Sequence, residues 1–474
     1  MAKNKLDRLL SQIPYREMQE LKKWASSPLH NPRKEARDLF SILYSARFQK
    51  LPPPSETELH RVIWPEKNYS PLDLRHLRSQ VYKVVEDFLI DRQCKKDPHL
   101  RQSLLLEALQ SLEMEKEIAS ALQKGQKKLA AEPNKDQASY YQAFKLHRTA
   151  YSSSRNRNQF NTEALEGTIR QLDNFYILQA LTWATSALNH QRIFRFDYHS
   201  PLLEKVLDLA AQLSWEEEPA IAVYYKLYLS LNHSEQTQHF RDFRDLLYQS
   251  EGVFGQEELK SLYLLGINYC IRRLNQGKSE YFEEVFLLYQ KGLSSEALLD
   301  RGKLSPFTYK NIVAAALRLQ EFQWAENFTK EYAGRLDSPE QDSYQAFVLA
   351  RLAHAKGELK KVVSLLKKVE TADLFTRLDA KVLQIKTYHE LGETSFVEYL
   401  LDSFKQFLRR KEILTYHRQL YSSFIRFAQK MNRLPEGDKS RSQKILDKLE
   451  AHGPLPEKHW LKGQIQQKAG DPGA

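Results

Sequence analysis

Apolar residues recur at steps of three and four along almost the whole chain. Leu74, Leu77, Val81, Val84 and Phe88 do so, as do Val397, Leu400 or Leu401, Phe404 and Leu408. Such spacing gathers side chains on one face of a helix with 3.6 residues per turn. No segment sustains period-two alternation flanked by Asn-Gly or Asp-Gly, the strongest short-range hairpin signal. Glycine (16) and proline (18) are scarce for 474 residues, which further disfavours turn-rich β folds and glycine-loop nucleotide folds. The expected fold class is all-α with essentially no sheet. Hydrophobic residues make up 42% and charged residues 28%, too apolar for a disordered chain and too evenly charged for a membrane protein.

The net charge of +11 is unevenly spread. Residues 1–100 carry 19 basic and 13 acidic side chains, 101–300 carry 22 and 26, and 301–474 carry 30 and 21. Basic ends of this kind attract anionic partners or nucleic acid, and they also suit an ordinary soluble helical surface. Cys94 and Cys270 lie far apart and outside any CxxC pair, so neither a disulfide framework nor a thiolate metal site is expected. The start Met1-Ala2-Lys3-Asn4-Lys5-Leu6-Asp7-Arg8 has charges where a secretory segment needs apolar residues, and no window approaches a membrane-spanning run. The sequence therefore predicts a cytoplasmic protein with no membrane partner.

Helix starts are announced by a capping residue before proline, at Asn31-Pro32, Ser70-Pro71, Ser200-Pro201, Ser305-Pro306 and Ser338-Pro339, with Gln341 placed to complete a capping box. Breaks are expected at Lys50 to Glu56 with its three prolines, at Ala131 to Gln137 around Pro133-Asn134, at Leu434 to Arg441 and at the tail from Ala469. The polar stretch Tyr151 to Asn161 reads as the best candidate for a mobile loop.

The last third has an internal period. Ala346, Ala350, Ala353 and Gly357 line one helix and its end, and Leu359, Val362, Leu366 and Val369 mark a second. Thirty-five residues after Gly357 comes Gly392, preceded by Leu378, Ile385 and Tyr388 and followed by Val397, Leu401 and Phe404. Helix, tight turn and antiparallel helix, used twice with a period near 34, resembles the tetratricopeptide repeat. Thr308 to Leu336 looks like a degenerate upstream copy with Gln320 at the turn, and Leu414 to Leu449 like a terminal one with Asn432 there. The resemblance implies an α-solenoid of antiparallel helix pairs with an exposed concave face for a peptide, a protein or a neighbouring subunit.

Six residues before the turn positions stand Arg351, Lys386 and Arg426, and three before them stand His354, His389 and Gln429. On equivalent first helices these would form a cationic ladder for a protein or peptide partner, an acidic one in particular, through charge-assisted hydrogen bonds. The alternative is solvated charge on ordinary exposed turns.

Enzyme signatures are missing. Gly277-Lys278-Ser279 is similar to the end of a phosphate loop, but Arg272 occupies the place of the earlier glycine, so it reads as a helix boundary. HExxH, GxSxG, GxGxxG and EF-hand patterns do not occur, and His233 and His239 stand six apart with no cysteine nearby. The acidic run before Pro219 suits a helix start. No cofactor, metal or catalytic residue is expected.

Residues 1–92 read as a helical module with helices near 5–11, 16–26, 32–48, 56–63 and 71–90. The stretch Glu58 to Pro65 followed by Leu74, Leu77, Val81 and Val84 is similar to the helix-turn-helix of bacterial winged-helix activators. That resemblance implies a last helix presenting Arg75, Arg78, Ser79 and Lys83 to nucleic acid. The competing reading is that the same apolar stripe is core and the module caps the array. The expected organisation is this module, an irregular helical hairpin array over 93–300 and tetratricopeptide-like repeats over 301–474. The expected function is a non-catalytic interaction scaffold, with a nucleic-acid-associated transcriptional regulator as the alternative.

Overall fold

The computed structural model describes residues 4–48, 54–132, 135–156, 161–194, 197–214, 216–369, 373–410, 415–453 and 455–470. Pro52-Pro53, Pro133-Asn134, Arg157-Asn158, Trp215 and the tail beyond Gly470 lie outside them. The described residues form 23 α-helices and two 3-10 turns, with two isolated β-bridges and no strand. The all-α expectation holds. Two compact units divide the chain, residues 1–179 and 180–474.

In the first unit α1 (Lys5–Gln12), α2 (Tyr15–Ser26), α3 (Lys34–Phe48), α4 (Glu56–Ile63) and α5 (Pro71–Lys96) enclose one core. Leu74, Leu77, Val81, Val84 and Phe88 of α5 are buried in it with Trp64, Met18 and Phe40, so the apolar stripe has a packing role. Ser55 and Glu58 cap α4 reciprocally, and the Ser70 hydroxyl accepts from the Asp73 amide at the start of α5. After α5 the chain turns directly into α6 (Pro98–Ser111), capped by Asp97, at the place where a winged helix carries its hairpin. α7 (Glu115–Ala131), α8 (Gln137–Asn156) and the long α9 (Thr162–Phe194) follow, α9 running through the boundary between the units.

The stretch expected as a mobile loop from Tyr151 is helical as far as Asn156. Its serines return their hydroxyls to helix carbonyls, Ser152 to Arg148 (2.9 Å) and Ser154 to Tyr151 (2.8 Å). Polar side chains satisfied in this way do not break a helix.

The second unit holds α10 (Leu203–Gln212), α11 (Pro219–Asn232), α12 (Thr237–Gln249), α13 (Gln256–Asn275), α14 (Tyr281–Ser294), α15 (Pro306–Arg318), α16 (Phe322–Tyr332), α17 (Gln341–Ala355), α18 (Leu359–Leu366), α19 (Leu374–Glu390), α20 (Thr394–Arg410), α21 (Thr415–Asn432), α22 (Lys439–Glu450) and α23 (Lys458–Lys468). Each packs chiefly on its neighbours in sequence; in addition α15 meets α17, α17 meets α19 and α21 meets α23.

Four of the turns between successive helices share one geometry. Gly277, Gln320, Gly357 and Gly392 all have left-handed φ (86°, 60°, 76° and 80°). The next amide in each case donates to the carbonyl five residues back: Lys278 to Arg273, Glu321 to Ala316, Glu358 to Ala353 and Glu393 to Tyr388, at 2.9–3.1 Å. This is the Schellman closure, in which a left-handed residue lets the chain cap its own helix end. The Gly277 boundary and the turns at Gln320, Gly357 and Gly392 are therefore where the sequence puts them. After α21 the left-handed residue is Gly437 (φ 81°), five residues beyond the expected Asn432.

Of the five cap-proline signals, Ser70 and Ser305 cap as expected. Helices after Asn31-Pro32, Ser200-Pro201 and Ser338-Pro339 begin later, at Lys34, Leu203 and Gln341. The Ser338 hydroxyl accepts from the Glu340 amide (3.1 Å) and donates to its carboxylate, so Gln341 completes no capping box.

Candidate functional site

Arg351 and His354 occupy the last turns of α17, and Lys386 and His389 the matching turns of α19, because Gly357 and Gly392 fix the same helix-end register 35 residues apart. The third rung does not follow. α21 ends at Asn432 without the left-handed closure of the other turns: the next left-handed residue, Gly437, lies five residues further on and donates its amide to the Lys468 carbonyl (2.7 Å). Arg426 is exposed, its guanidinium 5.4 Å from the Phe427 ring, and it forms no ion pair or hydrogen bond among the described residues.

Lys386 and His389 of α19 meet the start of α23 directly, while Arg351 and His354 of α17 bear on it electrostatically. Lys386, only 8% exposed, places Nζ 2.7 Å from Glu457 Oε2. Burial pushes the Glu457 carboxyl up, but Lys386, Arg351 and His354 together hold it below the ordinary glutamate value. Its side chain nonetheless keeps 38% of its surface open, so the pairing is partly screened. Trp460, one turn on, donates from Nε1 to Glu390 Oε1 (2.8 Å). Lys386 Nζ stands 5.6 Å from the indole, and the His389 ring meets it edge-on at 5.5 Å. His354 Nε2 lies 2.9 Å from Glu390 Oε2. Burial raises the Glu390 carboxyl, while His354, Trp460 and Lys386 bring it below its usual value. His389 is held below the ordinary imidazole value by burial and by Lys468.

Arg351 differs from its neighbours. It is half-buried, faces Asp379 and Glu457, and hydrogen-bonds to no described residue. Asp379 accepts from Tyr421 Oη (2.7 Å) and is pushed up by burial. Further up α19, Asp373 accepts the Thr376 hydroxyl and lies 3.6 Å from Lys310 of α15. The charges named here are divided along α19, with the acids Asp373 and Asp379 toward its start and Lys386 toward its end.

On α5, Arg75, Ser79 and Lys83 are exposed at steps of four, while Arg78 is turned onto Glu56. Glu86 and Asp87 are exposed on the same helix. Among the described residues no group of histidine, cysteine, aspartate and glutamate has the placement to hold a metal ion, and no helix is long and apolar enough to cross a membrane.

Sequence reasoning missed Glu457, Trp460, Glu390 and Asp379. Glu390 directly follows a nominated histidine, which is a usable signal; Glu457 lies 71 residues from Lys386 with nothing periodic to connect them. No protein-family model matches the chain, and no curated protein or solved structure matches it either.

Proposed function

We propose that this chain is a non-catalytic protein-interaction scaffold. In this reading the helix pairs of residues 301–474 are tetratricopeptide-like units of an α-solenoid, and the ends of α17 and α19 receive an acidic segment of a protein partner. One observation carries it: Arg351 with His354 and Lys386 with His389 stand at equivalent positions on two first helices, and three of the four, Arg351, His354 and Lys386, bear on the Glu457 carboxylate while His389 meets the Trp460 ring. A planar guanidinium with uncommitted donors is suited to a bidentate carboxylate. The test is fluorescence anisotropy with a panel of peptides of graded Glu and Asp content. Preference for acidic peptides, weakened by salt and by Arg351→Glu, supports the reading. Equal binding of neutral and acidic peptides, or indifference to Arg351→Glu, overturns it.

A second reading, a nucleic-acid-associated regulator, rests on the exposed stripe Arg75, Ser79 and Lys83 of α5. It requires salt-sensitive retention on heparin that is lost when Arg75 and Lys83 are both reversed in charge. Retention unchanged by that double variant removes it.

A further inference from the structure

We infer that Glu457 and Trp460 are a resident competitor in the slot between α17 and α19, and that the partner segment it admits is a helix start carrying a carboxylate three residues before an aromatic ring. This rests on the scaffold reading above and specifies its ligand.

Chemical complementarity is the first ground. The Glu457 carboxylate is met by Lys386 and faces Arg351 and His354; the Trp460 N–H is met by Glu390, and its ring by Lys386 and His389. Every one of those groups belongs to α17 or α19, so the slot reads the pair Glu-x-x-Trp as a unit presented at the start of a helix.

The resident also fits imperfectly. Glu457 is left-handed (φ 55°, ψ 34°) without being glycine, and its side chain makes no cap hydrogen bond to α23. An L residue held there is strained, and such strain persists only where surrounding contacts impose it. Arg351 meanwhile keeps its fork unused. A partner carboxylate entering from a relaxed helix start would keep the Lys386 contact and add a bidentate one to Arg351.

Displacement need not unfold α23. Leu461 and Ile465 of that helix are fully buried in the core formed with α19, α20 and α21, and Lys468 Nζ donates to the Leu434 carbonyl (3.2 Å). These anchors lie beyond Glu457, which is exposed, and Trp460, which packs only partly buried at the edge of that core.

The test uses a fluorescein-labelled peptide of this chain's residues 455–462, Leu-Pro-Glu-Lys-His-Trp-Leu-Lys, added to the full chain. A resident that leaves the slot free only a tenth of the time weakens an external ligand by about tenfold. Glu457→Gln combined with Trp460→Ala is therefore expected to bind the peptide about tenfold more tightly than the natural chain, and adding Arg351→Glu to abolish that gain. Trp460→Phe alone, which keeps the ring and the fold but loses the bond to Glu390, is expected to give a smaller gain in the same direction. A Glu-to-Gln version of the peptide should not bind. No gain in either variant, while other acidic peptides still bind the natural chain, overturns this inference and leaves the scaffold reading standing. Failure of every acidic peptide to bind any form of the chain overturns both.

Discussion

Lys386 Nζ and Glu457 Oε2 stand 2.7 Å apart across 71 residues of sequence, joining the end of α19 to the start of α23. The lysine is buried and the glutamate is not, so their loss is unequal. Removing the acid strands a buried ammonium; removing the base leaves a carboxylate that water can reach.

Replacing Lys386 is accordingly graded. Lys386→Met, which keeps the buried aliphatic stem, should cost about 1 kcal/mol, because Glu457 rehydrates. Lys386→Glu, which sets a second carboxylate against Glu457, should cost about 3 kcal/mol or more. Urea midpoints of the two variants give the order directly, and equal midpoints would contradict it.

Gln320 adopts the left-handed turn that glycine fills at Gly277, Gly357 and Gly392. A non-glycine residue there costs about 1–2 kcal/mol, so Gln320→Gly should raise stability by about 1 kcal/mol once the added freedom of the unfolded chain is subtracted. Gly357→Ala and Gly392→Ala should lower it by about 1 kcal/mol each. Thermal or urea unfolding that shows Gln320→Gly to be destabilising would refute the shared turn.

In the first unit Gly167 of α9 faces His147 of α8 so closely that a Cβ would come within 2.4 Å of His147 Nδ1. Gly167→Ala should therefore cost about 1–3 kcal/mol through overpacking. His147→Ala in the same chain should recover most of that loss, a coupling readable in a double-mutant cycle. Additive effects of the two substitutions would show that they do not touch.

Stability should fall with acid in two stages. His389, held low by burial and Lys468, binds fewer protons folded than unfolded, so its penalty is absent above the ordinary value of 6.5 and grows as pH falls through that value. His147, lowered by burial and by Arg170, adds to the same stage. Glu457 and Glu390 are lowered carboxylates, so their contribution is complete above the ordinary value of 4.5 and is lost as pH falls below it. Urea midpoints measured across this range should show His389→Gln removing part of the first decline and leaving the second. An unchanged first decline would contradict the assignment.

The helical class was legible because the three-and-four spacing of residues such as Leu74, Leu77 and Val81 is local, and so were the turns at Gly357 and Gly392, where backbone geometry demands a particular residue type. Gln320 shows that the demand can be met by a residue that carries no signal. Arg426 does not form a third rung with the other two, because α21 ends at Asn432 without the left-handed closure that sets the register at Gly357 and Gly392. Tyr151 to Asn156 was misread because serine is polar in sequence but self-satisfied in a helix. Of the five nominated partner-binding residues Lys386 and His389 contact the start of α23, and what they contact, Glu457 and Trp460, is set by packing between distant helices and leaves no local pattern.

The most direct measurement is the affinity of an acidic Glu-x-x-Trp peptide for the Glu457→Gln/Trp460→Ala chain, with and without Arg351→Glu, at two salt concentrations. The account predicts binding that weakens with salt and vanishes with the arginine. Binding that survives Arg351→Glu, or ignores salt, would contradict it.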